Sequence, residues 1–117
     1  MTNKEFSKNL EKRTLSFGID VIRLSTNLPN SPEARVIRNQ ITKSGTSIGA
    51  NCREANHARS KADFKNKIKI CESEASETQY WLTIILVLNF VALKDIKPIN
   101  DECCELLAIF CTIGKRS

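Results

Sequence analysis

Apolar residues return at alternating steps of three and four along almost the whole chain. From the N-terminus the seam is Phe6, Leu10, Phe17, Val21, Leu24 and Leu28; this spacing predicts a helix over about 3–27, opened by a capping box of Thr2 and Glu5. The stretch LPNSPE stops it. Ser31 as N-cap with Pro32 at the first helical position then opens a second helix over about 32–57, with Ala34, Ile37, Ile41, Ser44, Ile48, Asn51 and Ala55 on its seam. Ser60 followed by Asp63 starts a third, over about 61–92, carrying Phe64, Ile68, Cys71, Ala75, Thr78, Leu82 and Ile85 inward. LKDIKPIN reads as a break, and Asn100 with Asp101 and Glu102 suits the positive start of a fourth helix over about 100–114, which buries Ile99, Cys103, Leu106, Phe110 and Ile113. No strand pattern competes. Short connections between long helices force neighbours to run antiparallel, so the expected fold is all-α: a single-domain, up-down-up-down antiparallel four-helix bundle.

Two helices carry a second apolar seam, Leu15, Ile19 and Ile22 on the first and Trp81, Ile84, Leu88 and Val91 on the third. Such surplus apolar surface fits either a subunit interface or a wider core.

The stretch QITKSGTSIGANCREA, residues 40–55, has the glycine and hydroxyl content of a phosphate-binding loop. It lacks the lysine after its last glycine and the strand before its first, so that reading fails. As a helix it bears a small polar stripe of Gln40, Ser44, Ser47, Asn51 and Glu54, beside Gly45 and Gly49 one turn apart. A glycine inside a helix costs about 1 kcal/mol relative to alanine, which close approach of another backbone would offset. The third helix, folded back about the 58–61 turn, is the expected neighbour. Positions whose numbers sum to about 119 then lie level, as the short turn of a helical hairpin dictates, which puts Ser44 and Ser47 near Glu72 to Ala75. Glu74 and Glu77 are expected to be half-buried members of a structural network with the stripe. A catalytic carboxylate pair is the rival, but no histidine, lysine pocket or metal-ligand set converges on them.

At 117 residues the chain suits one domain. Its five cysteines contain no CxxC pair and His57 is the only histidine, so no metal site or cofactor is expected; the cysteines read as small core residues in a reducing cytoplasm. The apolar run WLTIILVLNFVAL is shorter than the ~20 residues that span a bilayer, and the N-terminus has no apolar signal core, so no membrane association is expected.

The segments RNQITKSGTSIGANCREA and SKADFKNKIKICESEASETQYWL resemble the four helix bundle proteins first noticed in intervening sequences of bacterial 23S rRNA genes. Gln40, Ser47, Ile48, Asn51, Glu54, Phe64, Glu74, Glu77, Trp81 and Leu82 match that family's pattern as they stand. Ala55 departs from it, where many members have glycine. The resemblance implies a homopentameric barrel of four-helix bundles. It also implies similarity to the accessory protein of diversity-generating retroelements, which binds nucleic acid and a reverse transcriptase.

The net charge of +5 is unevenly spread. In the expected bundle, helices 1 and 3 begin and helices 2 and 4 end at one pole. Lys4, Lys8, Arg53, Arg59, Lys61, Lys65, Lys67, Lys69, Lys115 and Arg116 gather there against Glu5, Glu54 and Asp63. Lys61, Lys65 and Lys69 sit where the macrodipole of the third helix disfavours cations, which a polyanionic partner would reward. Lys4, Lys8, Arg53, Arg59, Lys61, Lys65 and Lys69 are therefore the candidate nucleic-acid-binding residues. With no helix-turn-helix, zinc motif or stacking platform evident, phosphate contacts without base readout are expected. The leading reading is a non-enzymatic homo-oligomeric scaffold that binds RNA or DNA, with a reverse transcriptase or other protein as a further partner. The alternative is a protein-interaction module with no nucleic-acid role.

Overall fold

The computed structural model describes residues 3–116 as four helices: α1 (Asn3–Ser25), α2 (Pro32–Ala55), α3 (Lys61–Val87) and α4 (Leu93–Arg116). Each packs on its neighbours in the cycle α1–α2–α3–α4–α1, and the diagonal pairs stay apart. This is the up-down-up-down bundle, 44 Å along its longest axis. Phe17, Ile41, Ile48, Leu82, Ile85, Ile96, Leu106 and Phe110 form its innermost layer, each under 2% exposed. Among them the seam positions of all four helices are represented, which is why helical periodicity alone points to the architecture.

Local chemistry explains the starts of two helices. Ser31 accepts a hydrogen bond from Ala34 N at 3.1 Å, with Pro32 in the first turn, and Ser60 accepts one from Asp63 N at 3.0 Å. Asp63 reaches back to Arg59 N, so two otherwise unpaired donors are satisfied at the head of α3. The Thr2 half of the capping box expected on α1 lies outside the described residues. Arg38 ties the α1–α2 connection down, its guanidinium donating to the carbonyls of Ser25, Leu28 and Pro29.

Two boundaries differ from the sequence reading. Helix α3 ends at Val87, short of residue 92, because Asn89 takes a left-handed conformation (φ 55°) and Phe90 N donates to Ile85 O. This is a Schellman turn set by asparagine inside an unbroken apolar run. Helix α4 begins at Leu93, so Asn100, Asp101 and Glu102 lie within it and do not start it. Pro98 sits in its second turn, exposed, where the Lys94 carbonyl it leaves without a helical donor can be met by water. Burial of Ile96 and partial burial of Ile99 extend the α4 seam backward and outweigh the local cost of the proline.

The glycines of α2 face α1, not α3. A Cβ at Gly45 would stand 2.8 Å from Val21 Cγ1, and one at Gly49 would stand 3.2 Å from the Thr14 backbone. Gly18 on α1 meets the Gly45 carbonyl, so the two helices cross backbone to backbone. The expectation that α3 fills this role fails because α2 has two neighbours: its polar stripe meets α3, and its glycine face, displaced around the helix, meets α1.

Candidate nucleic-acid interface

The polar stripe of α2 makes one fully buried contact with α3. The hydroxyls of Ser44 and Thr78 are hydrogen-bonded at 2.9 Å, and Thr78 also bonds Glu74 O at 2.7 Å. The Cys71 thiol reaches Ile48 O, a pair whose numbers sum to 119, in line with the expected register. The rest of the stripe satisfies itself locally: Ser47 donates to Lys43 O and Asn51 donates to Ser47 O. Gln40 is half-buried beside it. Glu74 is half-buried, but Glu77 is exposed, accepting a bond from Trp81 Nε1 one turn on, and Glu54 is exposed and pairs with Lys67 at 3.0 Å. The serines and carboxylates therefore do not form the expected continuous network, because hydroxyls in a helix reach their own carbonyls one turn back more readily than a neighbour's side chain. Thr78, not Ser47, carries the cross-helix contact. Thr78→Val should lower stability by about 1 kcal/mol by removing the cross-helix partner of Ser44, whose hydroxyl keeps only its 3.4 Å contact to Ile41 O, whereas Ser47→Val should be near neutral; thermal unfolding of the two variants checks this.

The buried thiols serve packing. Burial pushes Cys71 and Cys103 up to about 12, leaving them protonated and inert at neutral pH. Among the described residues no three His, Cys, Asp or Glu side chains are grouped to hold a metal ion, and no helix is long and apolar enough to cross a membrane.

Carboxylates concentrate away from the basic pole. Arg13 on α1 forms a two-pronged pair with Glu102 on α4 and a further contact to Glu105. The hydrogen bond to Glu102 raises the guanidinium pKa above its ordinary value. This pair closes α4 onto α1 at the waist. Lys97 is likewise engaged at the opposite pole, 2.8 Å from Asp101.

The basic pole itself is held by Asn56, whose amide donates to Ser7 O and to Glu11 and so ties the end of α2 to the start of α1. Arg59, Lys61 and Lys65 line one cleft together with Arg116, which the C-terminal turn of α4 brings beside the α2–α3 turn. Lys8 and Arg53 line a second groove, between α1 and α2, and Lys4 stands exposed in the first turn of α1. Lys69, one turn on from Lys65 along α3, lines a different hollow, with Glu72, Glu77 and Tyr80 on the α3–α4 side. Arg53 approaches Glu11 to 3.8 Å and is partly neutralised. Among the described residues no carboxylate lies within ion-pairing distance of Lys4, Lys8, Arg59, Lys61, Lys65 or Lys69. Two helix N-termini and two C-termini meet at this pole, so their dipoles largely cancel at a distance and each acts only on side chains within its own end turn.

The model of the 23S rRNA-intervening sequence protein family matches residues 8–111. The chain belongs to that family. A crystal structure of a protein of unknown function from the S23 ribosomal protein family, from Bacteroides thetaiotaomicron, is 37% identical and superposes with a TM-score of 0.83. The match covers 91% of this chain and 98% of that one. No curated protein matches the chain. For this member of the 23S rRNA-intervening sequence protein family, the sequence pointed to Arg59, Lys61 and Lys65 because they adjoin a turn. Arg116 joined their pole on topology alone. Lys12, which lines the groove with Lys8 and Arg53, lies on the outward side of α1 and carries no sequence signal that sets it apart from any solvated lysine.

Proposed function

We propose that the protein is a non-enzymatic homo-oligomeric scaffold whose basic pole holds RNA or DNA by its phosphates, without base-edge specificity. The observation that carries this reading is the convergence of Arg59, Lys61, Lys65 and Arg116 on one cleft, where, among the described residues, none of the first three makes a side-chain ion pair and Asp63 meets Arg59 only at its backbone N–H. Unpaired like charges held together at a helix start raise the free energy of the isolated protein, and a polyanion relieves that cost. Assembly is supported by Leu15, Ile19 and Ile22, which stand 63%, 40% and 43% exposed along α1. They line the groove between α1 and α2 together with the exposed Ala50, an apolar strip that a second copy would cover. The expected assembly is a pentamer, which would repeat the basic pole around a ring. A reverse transcriptase is a further partner consistent with the retroelement resemblance.

Light scattering should therefore show an oligomer at micromolar concentration. Titration of a labelled RNA or DNA should show log affinity falling linearly with log salt, by about 0.7 to 0.9 for each phosphate neutralised. A monomer removes the ring, and absence of binding at low salt favours the protein-interaction module instead.

A further inference from the structure

The basic pole also holds an apolar hollow. Between α1, α3 and α4 lies a cleft of about 770 Å³ walled by Phe6, Phe64, Ile68 and Ile113, with Asn3 and Arg116 among its polar lining residues. Phe6 belongs by spacing to the inward seam of α1, yet it is 39% exposed. The cationic cleft of Arg59, Lys61 and Lys65 is its direct neighbour: Phe64 and Arg116 line both. An aromatic wall and a cationic wall sharing two residues match the two halves of a nucleotide, a flat apolar base with polar edges and a phosphate.

We propose that the Phe6–Phe64 cleft receives an unpaired base of a single-stranded nucleic acid while the flanking phosphates lie against Arg59, Lys61, Lys65 and Arg116. This rests on the phosphate-binding reading of the same pole and adds to it the class of nucleic acid bound. In a duplex the base faces are stacked on one another and cannot enter, so the cleft selects single strands. Stacking on an aromatic ring tolerates any base, since every base has a π-face, and needs no edge readout.

The test uses the full chain and three probes: a labelled 12-nucleotide single strand, the same sequence as a duplex, and inorganic polyphosphate as a competitor without bases. The single strand should bind more tightly than the duplex. Phe6→Ala should weaken single-strand binding about five- to 150-fold, the usual range for loss of one stacked base, and leave polyphosphate competition unchanged. Phe6→Trp should restore binding. Phe6→Ala should remain folded, with a modestly lower thermal midpoint for the apolar surface it loses, and light scattering should match the parent. If polyphosphate competes but the duplex binds as well as the single strand, or Phe6→Ala changes nothing, the base cleft is wrong and the phosphate reading stands. If Phe6→Ala changes the oligomeric state, the hollow is a subunit contact and the proposal falls. If none of the probes binds at low salt, both readings fall together.

Discussion

Replacing Arg59, Lys61 and Lys65 together by glutamate should abolish nucleic-acid binding and leave the bundle folded. The three side chains line one cleft, are exposed, and among the described residues make no ion pair that the substitution would break. Each change removes a phosphate contact and adds repulsion, and any binding that survives at low salt should show a salt slope flatter by roughly 2 for a single strand. Lys61 and Lys65 lie in the first turns of α3, where carboxylates interact favourably with the macrodipole, so stability should hold or rise slightly. The matched triple at the far pole, Arg23, Lys94 and Lys97 to glutamate, should weaken binding far less. Lys97 is already paired with Asp101 there. Equal losses from both triples, read by anisotropy at one salt concentration, would show diffuse attraction to a basic protein and no defined pole.

The largest stability effect is expected at the α1–α2 crossing. Gly45→Val should destabilise the fold by about 3 kcal/mol or more, toward the upper end of what overpacking a tight core costs. A Cβ alone would sit within 3.1 Å of three carbons of Val21, itself fully buried and β-branched, so neither side chain has a free rotamer to escape into. Gly114→Ala provides the contrast. A Cβ there meets nothing closer than the Glu72 carboxylate at 3.7 Å, so the better helix propensity of alanine should stabilise by up to about 1 kcal/mol. Opposite shifts in thermal midpoint, on the order of 4 °C per kcal/mol for a chain this size, are the expected readout. A Gly45→Val protein as stable as its parent would mean that α1 and α2 are not in backbone contact.

The matched solved structure and the family model both carry names without a molecular activity, so the variants above bear directly on function. They separate two properties that the basic pole combines: a charge cluster that any polyanion can sense, and an adjoining aromatic hollow that only an accessible base can fill.

Helix number, the inward seams, the Ser31 and Ser60 caps and the α2–α3 register were legible in the sequence. Each depends on chemistry within a turn or two: a hydroxyl three residues from the amide it caps, or apolar side chains three and four apart. The ends of α3 and α4 were not legible. Asn89 turns left-handed between Ile85 and Val91, both of which are buried, and Pro98 is tolerated because the tertiary seam rewards Ile96 more than the missing hydrogen bond costs. The same divide separates the parts of the site. A count of cations along the chain locates a basic pole, since topology follows from helix order and connection length. Which cations among the described residues make ion pairs, that Gly45 answers to Val21, and that Phe6 is left half-uncovered beside Phe64 depend on residues far apart in sequence that meet only when the helices pack. Local periodicity determines which face of a helix goes inward; only the packed bundle decides which neighbour each part of that face meets.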